Sequence, residues 1–230
     1  MVDIHSHVLP YLDDGSDDIE TSLAMVRNAV ERGATIIFCT PHYRKPYIKP
    51  VERIKQSFSA LVDAVKKEGI EVELRLGEEV YMRPDMIEKL KNGEALTLNG
   101  TPYVLVEFDF EVYSSIPMVA EMLVKAGYTP IIAHLERYRY ADLDMAEEVK
   151  KVGGLIQINA NSISGRAKKW YYKKVKKLLK ANLVDFIASD YHDGRQYTMD
   201  VTYKVIKKKF GASTAEKLFY TNAMRYLNLN

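Results

Sequence analysis

Short runs of β-branched and aliphatic residues alternate with amphipathic helical patterns along this chain, and that alternation restricts it to a parallel sheet covered by helices. The runs are Val2 to Ser6, Ile36-Ile37-Phe38-Cys39, Val72 to Leu76, Tyr103-Val104-Leu105-Val106, Ile131-Ile132-Ala133, Leu155-Ile156-Gln157-Ile158 and Phe186-Ile187-Ala188. Continuous apolar runs such as Ile36 to Cys39 suit strands buried on both faces. Between the first two runs, Ile19, Leu23, Val26 and Val30 share one helical face; after the second, Val51, Ile54, Phe58, Leu61, Val62 and Val65 do the same. Gly33 and Gly69 end these two helices. Ser16 or Asp17 is the expected N-cap of the first, with Glu20 three residues after Asp17 as in a capping box. A short helix is expected from Pro84 to about Leu90, and a helical tail after Asp200 with a break near Gly211. Leu96-Thr97-Leu98, Asn99-Gly100 and Tyr103 to Val106 have the form of a hairpin with a type I′ turn. Seven strands with helices between them point to a closed, irregular barrel; an open doubly wound sheet fits the same alternation.

At 230 residues the chain suits one domain spanning 1–230, and no Pro/Gly/Ser-rich linker divides it. A formal charge of +2 is too balanced to argue for nucleic acid or an anionic membrane. The start MVDIHSHVLP lacks the pattern of a secretion signal, and no run of about 20 apolar residues exists to span a bilayer. With one cysteine, no disulfide forms within the chain. A cytoplasmic protein is expected.

All five histidines, His5, His7, His42, His134 and His192, fall at or just past the end of an expected strand. In a parallel barrel those ends open on one face, where active sites assemble. Scattered structural histidines would not all choose that position. The acids follow the same rule: Asp3 and Asp13-Asp14 flank the first strand, Glu78-Glu79 follow the third, Glu107 ends Val104 to Val106, and Asp190 ends Phe186 to Ser189. A carboxylate at the end of an apolar strand is costly to desolvate unless a cation or donor compensates it. A cluster of bound cations accounts for the set, and this mixture of imidazole and carboxylate suits Mn, Fe or Zn, with Mg as an ion needing fewer histidines. In His5-Ser6-His7 the strand period of two puts both imidazoles on one face. Asp190-Tyr191-His192 repeats the spacing: if the strand continues, the two share a face, and if it has ended, they diverge towards neighbouring ions.

Arg137 lies three residues after His134, and Arg195 three after His192. A guanidinium matches two phosphate oxygens and stays charged at any working pH, so the pair points to a phosphorylated substrate; surface salt bridges are the plainer alternative. A cysteine-based phosphatase mechanism is excluded, because the residue six after Cys39 is Lys45 rather than arginine. Cys39 reads as a small buried apolar residue. The lysines of segment 165–181, together with Arg166, read as a solvated helix face or as a docking surface for an acidic or phosphorylated tail. Tyr43, Tyr47, Tyr138, Tyr140 and Tyr191 fall near the candidate ligands and could shape a pocket for an aromatic ring.

Taken in order, Asp3-Ile4-His5-Ser6-His7, Leu12-Asp13-Asp14-Gly15, Thr40-Pro41-His42, Ala133-His134-Leu135-Glu136-Arg137, Gln157-Ile158-Asn159-Ala160, Gly165-Arg166 and Ser189-Asp190-Tyr191-His192 resemble the polymerase-and-histidinol-phosphatase (PHP) superfamily. Within it, they resemble the metal-dependent protein-tyrosine phosphatases of capsule and exopolysaccharide loci, the CpsB/YwqE group. The likeness runs essentially end to end. It implies a distorted (β/α)7 barrel, TIM-barrel-like, with up to three divalent ions, manganese foremost. It implies that His5, His7, Glu79 and Asp190 hold one ion, that Glu79 bridges to a second shared with Glu107 and His134, and that Asp14, His42 and His192 hold a third. Arg137 and Arg195 would grip phosphate. The chain departs from the family in having Leu135 where proline is common and Glu78 where glutamine is common, and the loop after His192 is short and variable. The expected reaction is hydrolysis of phosphotyrosine on a protein, such as the tail of a bacterial tyrosine kinase, by water that a divalent cation makes acidic enough to ionise near neutral pH. Asp14 and His42 join the two arginines as expected catalytic residues. A histidinol-phosphate phosphatase shares this chemistry with another substrate, and a metal-binding regulatory module without catalysis is the reading of another class. Amidohydrolases also open with His-x-His, but commonly close on a lone Asp from an eighth strand.

Overall fold

The computed structural model describes residues 1–112, 115–165 and 167–229; Arg166 lies outside them. Nine strand segments are present among the described residues: β1 (Val2–Ser6), β2 (Ile36–Cys39), β3 (His42–Tyr43), β4 (Glu73–Leu76), β5 (Glu79–Tyr81), β6 (Tyr103–Glu107), β7 (Thr129–Ile132), β8 (Leu155–Asn159) and β9 (Phe186–Ala188). All pair in parallel, in the orders β1-β2-β4 and β3-β5-β6-β7-β8-β9. They make seven staves, because β2 and β3 are one stave broken at Thr40-Pro41, and β4 and β5 another broken at Gly77-Glu78. Pro41 has no N–H for the ladder, yet its carbonyl accepts from Glu79 N at 3.1 Å and Cys39 O accepts from Gly77 N at 3.0 Å, which carries the pairing across both breaks.

The ring closes between β1 and the segment after β9. Asp190 N donates to His5 O at 2.9 Å, and His7 N donates to Tyr191 O at 2.8 Å. Asp3 reinforces the seam from outside the ring by accepting from Ser189 N at 3.0 Å. The barrel expectation therefore holds, and the open-sheet alternative does not.

Residues facing the barrel interior near the strand starts are apolar: Val2, Ile4, Ile36, Phe38, Leu105, Ile131, Leu155 and Phe186 form one buried cluster. Ala223, Leu227 and Leu229 from the C-terminal segment join it and plug that end of the barrel. The outward-facing residues, among them Val104, Val106, Ile132, Ile156 and Ile158, meet a surrounding layer of helices. That layer comprises α1 (Ile19–Glu31), α2 (Val51–Lys67), α3 (Met86–Lys91), α4 (Ile116–Lys125), α5 (Leu143–Lys151), α6 (Lys169–Lys180), α7 (Met199–Phe210), α8 (Ala212–Glu216) and α9 (Asn222–Tyr226). Gly211, in the left-handed region at φ 97°, makes the expected break between α7 and α8. In α6, Val175 and Leu178 face inward while most of the lysines stay in solvent; Lys174 turns back to donate to Tyr138 O at 2.6 Å.

Three local expectations are corrected. The N-cap of α1 is Asp18, which accepts from Thr21 N at 2.7 Å. Ser16 cannot serve, because its hydroxyl is committed to Ser22 Oγ and Asp18 O. The hairpin is absent: Asn99 (φ 54°) and Gly100 (φ 68°) do take the left-handed conformations of a type I′ turn, but the residues before them form no strand. Leu98 is buried in the barrel interior instead, and Tyr103–Glu107 pairs in parallel with β5 and β7. Val62 sits at the solvent edge of α2, 36% exposed, rather than in its buried stripe.

Phe38 fills the barrel interior, fully buried. Phe38→Ala is expected to lower stability by about 3–5 kcal/mol, which at about 2–4 °C per kcal/mol for a chain of this size is a fall in melting temperature of roughly 6–20 °C. Thermal unfolding followed by circular dichroism measures it; a shift under 2 °C or so would show that the interior collapses around the gap.

Candidate metal centre

The interior column of each strand changes from apolar to polar towards its C-terminal end. On β6, Leu105 is followed two residues later by Glu107; on β8, Leu155 is followed by Gln157 and Asn159, all buried. On β1 a register shift between Asp3 and Ser6 lets Ile4 join the apolar interior while His5 and His7 reach the mouth. Where a strand stops short, the backbone is bent to deliver its side chain: His134 after β7 (φ 35°) and Asp190 after β9 (φ 51°) are both left-handed. This conformation costs a non-glycine residue about 1–2 kcal/mol, strain of the kind that concentrates at functional sites.

All five imidazoles meet at this mouth with Glu79, Glu107 and Asp190, and every one of these residues is buried. Glu79 is the hub. Its Oε1 lies 2.8 Å from His134 Nε2 and 3.3 Å from His5 Nε2, and its Oε2 lies 2.7 Å from His42 Nδ1 and 3.5 Å from His7 Nε2. Asp190 Oδ1 is 3.7 Å from both His5 Nε2 and His7 Nε2. Glu107 reaches His42 at 3.8 Å and His134 at 3.9 Å. Asp14, more exposed, places Oδ1 3.4 Å from His42 Nε2 and 3.7 Å from His192 Nε2. Four overlapping triads have donor atoms close enough to share a cation: His5–His7–Asp190, His5–Glu79–His134, His42–Glu79–Glu107 and His7–His42–His192. β9 ends at Ala188, yet Asp190 and His192 stay side by side: His192 Nδ1 lies 3.5 Å from Asp190 Oδ1, and the His192 ring stacks on His7 with centroids 4.0 Å apart. Glu78 turns away to accept from Leu96 N at 2.7 Å, and burial pushes its carboxyl up to about 8. Glu79 is therefore the glutamate that faces the cluster.

The donor arrangement fits bound cations. His5 Nδ1 lies 3.2 Å from Gln157 Oε1 and His7 Nδ1 2.8 Å from Asp13 Oδ2, so both Nε2 atoms turn inward and stand 3.2 Å apart. With Asp190 Oδ1 3.7 Å from each and Glu79 beside them, these nitrogens gather at one point as a donor set that suits a cation. His42 Nδ1 and Glu79 Oε2 are close enough to bond, yet neither makes an aligned hydrogen bond, and His134 Nδ1 has no partner either. Burial opposes charge on His5, but Glu79 and Asp190 outweigh it and raise its pKa to about 9. Burial, together with His192 and His42, drives His7 well below the ordinary imidazole range. Burial also brings His134 down to about 4. Burial disfavours charge on Glu79, yet His5 and His42 hold its carboxylate well below the usual range, whereas burial and the Glu79 charge push Glu107 up to about 8. The protein thus concentrates nitrogen and oxygen donors whose charges compensate one another only in part.

Further residues hold this set in place. Gln157 Oε1 also accepts from His134 N at 2.9 Å, Gln157 Nε2 donates to Asn159 Oδ1 at 2.8 Å, and Asn159 Nδ2 donates to Asp190 Oδ2 at 2.8 Å. One strand, β8, thereby orients groups from β1, β7 and β9. The available signal was a pair of polar side chains two apart in an otherwise apolar strand. Asp13 takes the same part opposite, accepting from His7 Nδ1, His42 N and Gly15 N. Gly15 is required here, because a Cβ would stand 2.0 Å from His7 O. Arg44, which no motif in the sequence marks, donates from Nη1 to Glu107 Oε2 at 3.2 Å. Arg137 Nη1 donates to Asp190 Oδ2 at 2.9 Å, with its guanidinium 4.3 Å from the Phe110 ring centroid. Arg195 Nη1 approaches the same carboxylate oxygen at 3.6 Å. Cys39 is fully buried. Among the tyrosines, Tyr138 is buried 5.7 Å from the His134 ring, Tyr47 lies over His42, and Tyr191 turns outward to accept from Asn28.

A family model described as capsular polysaccharide synthesis, CpsB/CapC, matches residues 1–228. The chain is 33% identical to the tyrosine-protein phosphatase CpsB of Streptococcus agalactiae, over 99% of this chain and 98% of that one. It is 32% identical to the tyrosine-protein phosphatase YwqE of Bacillus subtilis, over 92% and 86%. A crystal structure from work on YwqE of Bacillus subtilis and CpsB of Streptococcus pneumoniae, described as metal-dependent tyrosine phosphatases, superposes with a TM-score of 0.90 at 30% identity, covering 99% of this chain and 94% of that one. The phosphotriesterase of Mycobacterium tuberculosis, with a TM-score of 0.60 at 10% identity over 98% and 93%, shares the fold alone.

Gln157→Leu keeps the side-chain volume but removes the acceptor for His5 and His134. Divalent-ion affinity is expected to fall about 10- to 100-fold while the circular dichroism spectrum stays that of the folded protein. Calorimetric titration with Mn2+ measures it, and undiminished affinity would show that Gln157 does not position the ligands.

Proposed function

We propose, for a chain that belongs to the CpsB/CapC family of capsular polysaccharide synthesis proteins, hydrolysis of phosphotyrosine on a protein in a reaction that depends on divalent metal. The observation that supports this best is the placement of Arg137 and Arg195, both turned onto Asp190 at the edge of a buried histidine–carboxylate cluster. Fixed cations beside a multi-cation site are built for an oxyanion with several charges, and a phosphomonoester dianion is that ligand.

His5, His7, Glu79 and Asp190 would hold one ion, Glu79 with Glu107 and His134 a second, and Asp14, His42 and His192 a third. Manganese is the proposed occupant, with Fe, Zn and Mg as competitors for the same donors. When bound, such ions supply Lewis acidity and neutralise phosphate charge. The chain's own residues set the geometry. Gln157 and Asp13 engage Nδ1 of His5 and His7 and so turn Nε2 of each towards Glu79 and Asp190. Arg137, braced against Phe110, presents its remaining N–H groups to the equatorial oxygens, where charge accumulates during transfer. Burial of the cluster excludes water and strengthens each of these interactions. The proposed unit is a single domain over 1–230. The proposed substrate is a phosphotyrosine-bearing protein such as the tail of a bacterial tyrosine kinase, met in the cytoplasm. No helix among the described residues is long and apolar enough to cross a membrane.

With Mn2+ added, the protein is expected to release phosphate from a phosphotyrosine peptide and to lose that activity in excess chelator. His42→Ala and Arg137→Ala should each lower kcat/KM by about 100- to 1,000-fold. Steady-state assays on phosphotyrosine peptide and histidinol phosphate side by side decide the substrate: rapid turnover of the second without the first would overturn the choice.

A further inference from the structure

A cleft of about 980 Å³ lies between segments 44–47 and 81–85, beside the cluster. Its inner wall adjoins the candidate ligands through Arg44 and Tyr47. Arg44 bonds Glu107, the Tyr47 ring lies nearly parallel to the His42 ring with centroids 5.9 Å apart, and Tyr81 follows Glu79 by two residues on the interior column of β5. Tyr47, Tyr81 and Met82 are all partly exposed, so the cleft offers apolar and aromatic surface on the His42 and Glu107 side of the cluster.

The volume is far more than a phosphate needs and falls within the range of sites that enclose whole organic ligands. Arg137 and Arg195 gather at Asp190, whereas Arg44 and Tyr47 adjoin Glu107 and His42. A phosphoryl group held by the two arginines across the cluster would therefore direct its ester oxygen, and whatever that oxygen carries, towards the cleft. A flat ring entering it meets Tyr47, whose own ring is already fixed against His42. Arg44 spends one nitrogen on Glu107 and keeps other N–H groups for peptide carbonyls.

We propose that this cleft is the leaving-group subsite: Tyr47 stacks on the aromatic ring of an aryl phosphomonoester, and the rest of the cleft takes the extended peptide that carries the ring. The inference deepens the phosphatase reading and rests on it. Tyr47 is then a specificity residue, selecting aryl over alkyl esters.

The test compares the wild type, Tyr47→Ala and Tyr47→Phe, all loaded with Mn2+. Substrates are a phosphotyrosine peptide and its phosphoserine counterpart. In Tyr47→Ala, KM for the phosphotyrosine peptide should rise about five- to tenfold, with a smaller change in kcat. The aryl-to-alkyl ratio of kcat/KM should fall by the same factor, and Tyr47→Phe should restore it. Damage to the metal site would lower both substrates equally and leave the ratio alone; that outcome overturns the inference. Calorimetric binding of phenylphosphonate and methylphosphonate provides a readout independent of turnover. If the wild type hydrolyses neither peptide, the phosphatase reading fails, and the ratio of the two phosphonate affinities still decides the subsite. A preference for the phenyl compound that Tyr47→Ala removes supports it, and no preference, or one that survives the substitution, ends it.

Discussion

Glu79 is a carboxylate with no exposed surface, and the mouth of the barrel is organised around keeping it charged. A buried carboxylate without compensation costs several kcal/mol. Here imidazoles from three other staves, His5, His42 and His134, lie within 2.7–3.3 Å of its oxygens. No single stave can make that environment. The charge is tolerable only when the ring is closed, and closure is made by the same residues, since Asp190 N donates to His5 O across the seam. Barrel formation and site formation are in this sense one event.

Above the apolar interior, the structure devotes a full layer of hydrogen bonds to orientation. The path from His5 and His134 through Gln157 and Asn159 to Asp190 and Arg137 links groups expected to bind cations with a group expected to bind phosphate. Such a path fixes ring orientation as well as position. It explains why two neighbouring histidines can present Nε2 to one point, which an isolated His-x-His pair in water would not do. On the far side Asp13 serves the same end, and Gly15 lets its loop pass close to the His7 backbone. The relatives described as metal-dependent tyrosine phosphatases share this fold along nearly the whole chain.

The candidate ligands were legible because two regularities coincide: a strand places alternate residues on one face, and parallel strands end on one side. Those rules suffice for His5, His7, Glu107 and Asp190. They do not distinguish Glu78 from Glu79, because the choice depends on which neighbour faces the barrel, and that turns on the break at Gly77-Glu78. Asp3 obeys the same sequence rule yet lies outside the ring, bonded to Ser189, since the register shift in β1 comes after it. Asn99-Gly100 adopts the backbone of a type I′ turn without joining two antiparallel strands. Its two left-handed residues are a local preference, whereas the strands it was expected to join are chosen by burial of Leu98 and Leu105 in the barrel interior.

What the sequence determined alone is local and periodic: the alternation of strand and helix, the polar residues at strand ends, and an inventory of imidazoles, carboxylates and guanidiniums fit for cations and phosphate. Tertiary structure decided closure, the hub role of Glu79, the side-by-side placement of Asp190 and His192 against His7, the supports Gln157 and Asp13, and the cleft beside Tyr47. Each of these joins residues far apart in the chain. Their distances are set by packing and by the cost of burying charge, and neither is encoded in the spacing of neighbours along one strand.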